Sequence, residues 1–358
     1  MSLSVDLKKL ELKFTNIYNL VPPNSKFKKG NINIYSIENI LKKFAEIPNK
    51  YNIKSIIKSD VNLTVRAMES EIHHSLPSIV MSPFQALSIE NINNNNGAYS
   101  IGPYIEYVQT ALSLNELNIE KKILGKNLLV FRSHSLAGSE KLHDENLFCR
   151  KIEEIATKYD TVRVCLFEKD VLSGVAGIYI KHGFEVVTPG KCDDSMFMSR
   201  LKSIIQTSTM TVSRGLGTHV GYCIYMNKPH YIIKSEKSEK KELKDLGINT
   251  DNEDGAESQN YQELIKIIDL LSFNQEFISE ELYSLMNKYW GFDQIKTQEK
   301  LKKLILEIEG LYQINNKNSK ENQIKKLKRD IKEKNSFISQ TIPFKKYIAY
   351  KIKNQKKI

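Results

Sequence analysis

The residues best suited to chemistry lie in the segment 211–233, TVSRGLGTHVGYCIYMNKPHYII. Its pattern predicts a short strand, a turn with two glycines, a helix and a second strand. Gly215 and Gly217 allow a sharp turn and a close approach of the backbone to a ligand, and Thr218 is expected to cap the helix. The first turn of a helix carries partial positive charge and binds phosphate by its geometry alone. The segment therefore predicts an anion site, with an ordinary strand–turn–helix corner as the alternative.

Basic and hydroxyl side chains near such turns are the next candidates for holding an anion. His219 falls in the first turn of the predicted helix, and Arg214 would add a fixed positive charge. Ser213 ends the strand that leads into the same turn. The sequence Ser133-His134-Ser135 forms another polar turn after a predicted strand, where His134 could neutralise a phosphate. The structural alternatives are helix packing for His219 and local backbone hydrogen bonding for His134.

Acidic residues provide candidates for proton transfer and for contacts to a sugar or base. Asp194, with Asp193 before it, precedes a predicted helix and either caps it or binds a ligand. Glu69, Glu71 and His74 belong to the cluster ESEIHH, which could supply a general base; a solvated helix face is the alternative for that cluster. The two aspartates are adjacent rather than spaced as in a metal-binding Asp-x-Asp motif, so no metal site is predicted.

These residues are positioned by an alternation of strands and helices between residues 126 and 233. Strands are predicted at 126–131, 161–167, 183–188 and 211–213, and helices at 144–158 and 196–206. This alternation predicts a parallel sheet covered by helices. Ligands of such sheets bind beyond the carboxyl ends of the strands. Four polar turns meet there: 132–135, 168–170, 189–194 and 213–219.

The motifs FRSHS, VCLFEKD, GFEVVTPG, DDSMFMSRLKSII and TVSRGLGTHVGYCIYMNKPHYI together resemble the C-terminal half of GT-B glycosyltransferases of bacterial surface-polysaccharide synthesis. The resemblance covers about residues 125–235. It implies an α/β fold with two Rossmann-like domains facing a cleft, C-terminal helices and a basic tail. It also implies an enzyme that transfers a sugar from a nucleotide-sugar donor to a glycan acceptor such as capsule or lipopolysaccharide.

The same resemblance assigns roles to particular residues. The family's phosphate-binding turn maps onto Ser213, Gly217, Thr218 and His219, and loops such as 189–194 would contact the base and ribose. The Ser133-His134-Ser135 turn is similar to the histidine motif of CMP-sialic-acid transferases, which makes a CMP-activated donor one expectation. Enzymes of this kind often need no metal or other cofactor, because a helix dipole and side chains offset the charge of the leaving group.

Length and composition predict the domain organisation. The chain has 358 residues, 41% of them hydrophobic. This suggests an N-terminal acceptor domain at 1–120, a nucleotide-sugar domain at 121–259, amphipathic helices at 260–316 and a tail at 317–358. Four cysteines lack metal-ligand spacing and fit a reducing cytoplasm. No apolar run spans a bilayer and the N-terminus lacks the apolar core of a signal peptide, so a cytoplasmic protein is expected.

The net charge of the chain is concentrated in the predicted tail. Residues 317–358 contain 14 Lys and Arg against 3 Asp and Glu, whereas residues 1–316 balance. Aromatic and aliphatic residues alternate with these basic residues, which suits an anionic membrane surface and a lipid-linked acceptor. Nucleic acid is a less favoured partner. A solvated tail, or a final helix packed on the body, is the structural alternative.

Three functions remain open on the sequence. The first is the glycosyltransferase. The second is a nucleotide-sugar 2-epimerase-like enzyme of the same architecture, which would act on the donor itself and would need acidic groups from both domains. The third is a non-catalytic protein that binds a glycan or nucleotide.

Overall fold

The computed structural model describes residues 34–63, 76–91, 97–132, 145–172, 174–234, 256–273 and 276–341. The chain divides into two compact units, Met1–Leu304 and Ile305–Ile358. The first unit contains all the described strands, which form two separate sheets. The second consists, over its described part, of a single helix.

The first sheet has three parallel strands in the order β1-β2-β3. These strands are β1 (Ile56–Ile57), β2 (Ser78–Val80) and β3 (Ala98–Ser100), preceded by helix α1 (Ile37–Phe44), and helix α2 (Pro83–Glu90) connects β2 to β3. Helix α2 begins sharply because Ser82 Oγ accepts a hydrogen bond from the Gln85 backbone N–H (3.2 Å) and proline occupies the first helical position.

The second sheet has five parallel strands in the order β6-β5-β4-β7-β8. They are β4 (Asn127–Phe131), β5 (Thr161–Cys165), β6 (Glu185–Val187), β7 (Met210–Ser213) and β8 (His230–Ile232). Strand β4 is buried along its whole length, as expected for a central strand covered by helices on both faces.

Helices connect and cover these strands. They are α3 (Leu114–Leu124), α4 (Glu145–Ala156), α5 (Glu168–Leu172), α6 (Ala176–Lys181), α7 (Phe197–Gln206), α8 (Thr218–Tyr225), α9 (Ala256–Leu271), α10 (Glu280–Trp290) and α11 (Gln298–Thr341). Phe148 and Ile152 of α4, one turn apart, pack on Leu128 and Val130 of β4 in the main apolar core. Each such buried side chain stabilises the fold by about 1.5–3 kcal/mol relative to an exposed one.

The structure confirms the predicted α/β class, with two parallel sheets followed by helices. It corrects two local expectations. The polar stretch 168–170 is the start of α5 rather than a turn, and the last helix of the region 260–316 continues beyond residue 316 to Thr341. The four-part domain division stays a prediction. Among the described helices, none combines the length and the apolarity needed to cross a bilayer.

Candidate active site

The strand order of the second sheet creates a crevice between β4 and β7. The chain leaves β4 for β5 on one side and later returns to β7 on the other, so the connections diverge at this point. Phe131 at the end of β4 lies opposite Ser213 at the end of β7. Open α/β sheets bind ligands in such a crevice, at the carboxyl ends of the strands. The polar residues that follow these two strands therefore form the candidate site.

The turn that follows β7 leads directly into α8. Ser213 Oγ donates to the Gly215 carbonyl (2.8 Å) and so shapes the turn from inside, since it is almost fully buried. Gly217 is the N-cap residue and Thr218 is the first residue of the helix. The predicted capping role of Thr218 is thus wrong: its hydroxyl instead accepts a hydrogen bond from the Val61 backbone N–H (3.1 Å).

The ring of His219 lies close to Gly217. A Cβ at position 217 would lie only 2.9 Å from Cε1 of that ring. The ring also stacks at a tilt on Phe131, with 4.7 Å between ring centroids. His219 therefore folds back over the first turn of α8, at the mouth of the crevice.

Behind the turn, His230 links β7 and β8. Its Nδ1 lies 2.8 Å from Thr211 Oγ1 and its Nε2 lies 2.9 Å from Ser213 Oγ. Complete burial lowers the pKa of His230 to about 3. The imidazole is consequently neutral, and its hydrogen bonds fix the end of β7.

Arg214 belongs to a buried group of charges at the crevice. Its guanidinium lies 4.0 Å from the Phe148 ring centroid and 3.3 Å from the carboxylate of Glu145. Arg132, which follows β4, pairs with the same carboxylate at 3.1 Å and with Asp170 at 2.5 Å. Tyr179 donates to Glu145 as well (2.5 Å).

This group of charges positions the site rather than adding net charge to it. Two guanidinium groups face two carboxylates, so the positive charge expected from Arg214 is neutralised within the cluster. Removing one partner of such a buried pair is costly because the other charge stays buried. The Arg132–Glu145 pair also joins the residue before segment 133–144 to the residue after it.

Several predicted site residues lie outside the described residues. These are Glu69, Glu71, His74, Ser133, His134 and Ser135. Their catalytic and binding roles stay predictions. Among the residues that the structure does describe, no group of three His, Cys, Asp or Glu side chains could hold a metal ion.

Asp194 organises the loop at the end of β6. Its carboxylate pairs with Arg200 (2.6 Å) and accepts the Met196 backbone N–H (2.8 Å). Partial burial opposes ionisation, but these hydrogen bonds outweigh it and hold the pKa of Asp194 below its ordinary value. The carboxylate thus forms a turn before α7, and a contact to a ligand stays a prediction.

The first sheet contacts the candidate site through α10 and the chain after β1. The Trp290 ring packs directly against Gly221 of α8, where a Cβ would overlap the indole, and its Nε1–H donates to the Thr218 carbonyl (3.3 Å). Gly291, next in the chain, packs against the Met81 carbonyl after β2. Together these contacts hold the carboxyl edge of the first sheet beside the first turn of α8.

Neither a protein-family model nor a curated protein sequence matches this chain. Solved structures with a similar fold include Staphylococcus aureus MnaA with UDP, at 13% identity and a TM-score of 0.34, matching 64% of this chain and 58% of that one. UDP-GlcNAc 2-epimerase from Methanocaldococcus jannaschii is similar at 11% identity and a TM-score of 0.34, over 84% of this chain and 88% of that one. The chain therefore spans about 58% of the length of the first of these structures.

Functional candidates that the sequence did not single out are Asp60, Arg132 and Glu145. Arg132 lies in a polar turn that was noted without being assigned a role. Asp60 follows the short apolar run at 56–57, so the rule that strand ends carry function would have found it. Glu145 gave no signal, because its partners come from distant parts of the chain.

Proposed function

We propose that this chain is an enzyme that binds a nucleotide sugar between its two parallel sheets, with the phosphates at the first turn of α8. The observation that carries the proposal is the position of the Ser213–Thr218 turn. It lies at the divergence point of the second sheet and opens a helix whose first residue accepts a hydrogen bond from Val61, in the chain that follows β1 of the first sheet. A helix start at such a point is suited to phosphate.

Of the reactions open to such an enzyme, chemistry on the donor's own sugar is favoured over transfer. An epimerase needs side chains from both domains around the sugar. Asp60 precedes Val61 in the chain that follows β1. The Val61–Thr218 hydrogen bond therefore brings Asp60 next to the helix that would hold the phosphates. The function put forward is therefore that of a nucleotide-sugar epimerase-like enzyme, which requires no acceptor.

Transfer to a glycan is the second candidate, and one feature of the second unit favours it. Ile324 and Leu327 of α11 are at least half exposed, and the exposed basic residues Lys325, Lys326, Lys328 and Arg329 lie among them. A basic helix with exposed apolar residues suits an anionic membrane surface. A transferase that uses lipid-linked acceptors would work at the cytoplasmic face of such a membrane.

Nucleotide binding is tested first, by thermal unfolding of the full chain with CMP, UDP, GDP and dTDP. UDP is the ligand named for one of the similar structures. A ligand at a hundred times its Kd stabilises the native state by about 2.7 kcal/mol, so the correct nucleotide raises the Tm measurably. If none of the four does so at millimolar concentration, the proposed function is wrong.

The reaction is then identified with the nucleotide sugar alone and with added glycan acceptor. Epimerisation changes the sugar's proton NMR spectrum without acceptor, and in D2O it can place deuterium at the inverted carbon. Transfer releases nucleotide only when acceptor is present. Binding without either reaction would indicate the non-catalytic alternative.

A further inference from the structure

Strand β4 begins with a polar residue that is completely buried. Asn127 is 0% exposed, although asparagine is a poor strand former and the other four residues of the strand are apolar. Neither Oδ1 nor Nδ2 of its side chain has a hydrogen-bond partner among the described residues. Because a buried amide is costly without its hydrogen bonds, these two atoms need a partner that the described chain does not provide.

The pleat of the second sheet places this amide and Arg163 on the same face. Leu128 and Val130 belong to the apolar core beside α4. Successive side chains of a strand point to opposite faces, so Asn127 and Leu129 lie on the other face. Arg163 of β5 shares that face, because it is paired with Leu129 in the sheet.

The guanidinium of Arg163 is a second buried polar group on this face. Arg163 is 1% exposed; its Nη1 lies 3.2 Å from Oε1 of Glu120 in α3, and its Nη2 donates to Oγ1 of Thr207 (2.7 Å), just after α7. Its Nε–H has no hydrogen-bond partner within the part of the chain that the structure describes. The sheet thus carries a buried polar layer beneath α3 and α7, with one guanidinium donor still unsatisfied.

The connection between α7 and β7 joins the two groups. The backbone N–H of Asn127 donates to Thr209 Oγ1 (3.1 Å), and its carbonyl accepts the Thr209 N–H (2.9 Å). Thr209 comes two residues after Thr207, which receives the guanidinium of Arg163. The amide and the guanidinium therefore adjoin the same segment of three residues.

Charge and burial limit what can bind in this polar layer. The charge of Arg163 faces the Glu120 carboxylate, so no net positive charge remains for an anion. A cation would be repelled by the guanidinium. Both Asn127 and Arg163 are at most 1% exposed, which excludes a ligand of substrate size. Water is small and neutral, and it can both donate to Oδ1 and accept from the N–H groups.

We propose that ordered water is bound in this layer as a part of the fold, donating to Oδ1 of Asn127 and accepting from its Nδ2 and from Nε of Arg163. Buried water typically makes about three hydrogen bonds to polar groups that would otherwise be unsatisfied. Asn127 lies at the amino end of β4, whereas the candidate site lies at the carboxyl end, so the inference does not depend on the proposed function.

The bound water is detected by NMR on the full chain labelled with 15N. Nuclear and rotating-frame Overhauser transfers from water to side-chain amide protons have opposite signs when the water stays bound for a long time. We expect such transfer to the Nδ2 protons of Asn127. Asn127→Ala deletes this amide and identifies its signal; if the variant does not fold, assignment through the wild-type backbone identifies it instead.

Asn260 is the matched control, because it is a buried asparagine whose amide is satisfied by the protein. It is 6% exposed; its Nδ2 donates to the Leu63 carbonyl (2.9 Å), and its Oδ1 accepts from the Tyr289 hydroxyl (2.8 Å). Its amide protons should show no transfer from bound water. Since a hydroxyl lies against Asn260, transfer relayed by exchanging hydroxyl protons would also appear in this control.

A crystal structure of the wild type provides a second measurement. We expect density for ordered water within about 3.2 Å of the Asn127 amide and of Arg163 Nε. The inference is overturned if Asn127 shows no transfer, or if Asn127 and Asn260 show the same transfer. It is likewise overturned if protein groups satisfy both ends of the Asn127 amide in the crystal.

Discussion

Individual residues of this chain show that residue type alone does not reveal a role. His230 has the neighbours expected of a catalytic histidine, a serine and a threonine hydroxyl within 2.9 Å, yet it is fully buried and neutral. Arg214 places a guanidinium group where it could bind phosphate, yet the Glu145 carboxylate neutralises its charge. Burial and partners assign these residues to the scaffold.

The buried His230 makes stability sensitive to acid. Its pKa falls from 6.5 in the unfolded chain to about 3 in the native protein because burial disfavours the charged form. Between these pH values the unfolded state binds the additional proton, so stability is complete above pH 6.5 and decreases as the pH falls towards 3. The slope from this group approaches about 1.4 kcal/mol per pH unit. Urea unfolding of wild type and His230→Asn at pH 7, 6 and 5 measures it.

The variant should lose part of this pH dependence. Equal slopes in wild type and His230→Asn would contradict the assignment of His230 as a neutral buried residue.

Thr218 is expected to contribute to stability through its hydroxyl. Thr218→Val leaves the Val61 N–H without its acceptor, which costs about 1–3 kcal/mol in the free energy of unfolding. Thr218→Ser keeps the oxygen and should cost less. Chemical denaturation of both variants checks this, and identical stabilities for valine and serine would show that the hydrogen bond contributes nothing.

At the scale of elements, α10 joins the two sheets. Its last residue, Trp290, packs on α8, and Phe84 of α2 contacts the neighbouring Tyr289 ring at 4.8 Å between centroids. The helix ends at Gly291, whose left-handed backbone (φ 67°) allows the chain to turn against the Met81 carbonyl. Helix α10 thus sets the position of the carboxyl edge of the first sheet relative to α8.

Gly221→Ala tests this role of α10. The added methyl group would overlap the Trp290 indole, so α10 must shift; we expect a loss of roughly 1–3 kcal/mol. Gly177→Ala is the matched control, because Gly177 is also helical and a Cβ there meets nothing within 4 Å. It should be neutral or stabilising by up to about 1 kcal/mol. Thermal unfolding distinguishes the two, and equal effects would argue against the tight packing of Trp290 on α8.

At the scale of the whole molecule, charge and chemistry are separated along the chain. The balanced residues 1–316 contain both sheets and the candidate site, whereas the net charge of +11 is confined to residues 317–358. Because solubility and surface attraction depend on net charge rather than on fold, the second unit is the part expected to determine where the protein resides.

Removal of residues 317–358 should abolish binding to vesicles of phosphatidylglycerol and leave the melting of the remaining body unchanged. Each Lys or Arg at an anionic surface contributes about 1 kcal/mol, and salt weakens this attraction. Cosedimentation measures the binding, with phosphatidylcholine vesicles as the control.

The double substitution Ile324→Ser with Leu327→Ser should remove the part of the vesicle binding that salt does not weaken. Failure of the full chain to bind at low salt would refute membrane association, and earlier melting of the truncated chain would indicate a tail packed on the body.

The sequence predicted much of the secondary structure because local signals were strong. Helix 196–206 is observed as Phe197–Gln206, and helix 144–158 as Glu145–Ala156. The apolar spacing of each gives one buried face, so periodicity alone identifies it. The predicted N-cap, Thr218, is one residue too late, because the cap is Gly217. A cap is defined by its backbone angles, and neighbouring glycine and threonine residues both permit those angles.

The sequence by itself thus determined the α/β class, the strand ends that meet at one edge, and the concentration of charge in the last 42 residues. Tertiary structure alone decided which polar residues are paired within the scaffold. The Arg132–Glu145–Arg214 cluster and the Val61–Thr218 hydrogen bond join residues that are 13 to 157 positions apart. Such pairings depend on how elements pack rather than on local spacing. For that reason the neutralisation of Arg214 within the scaffold could not be read from its local sequence.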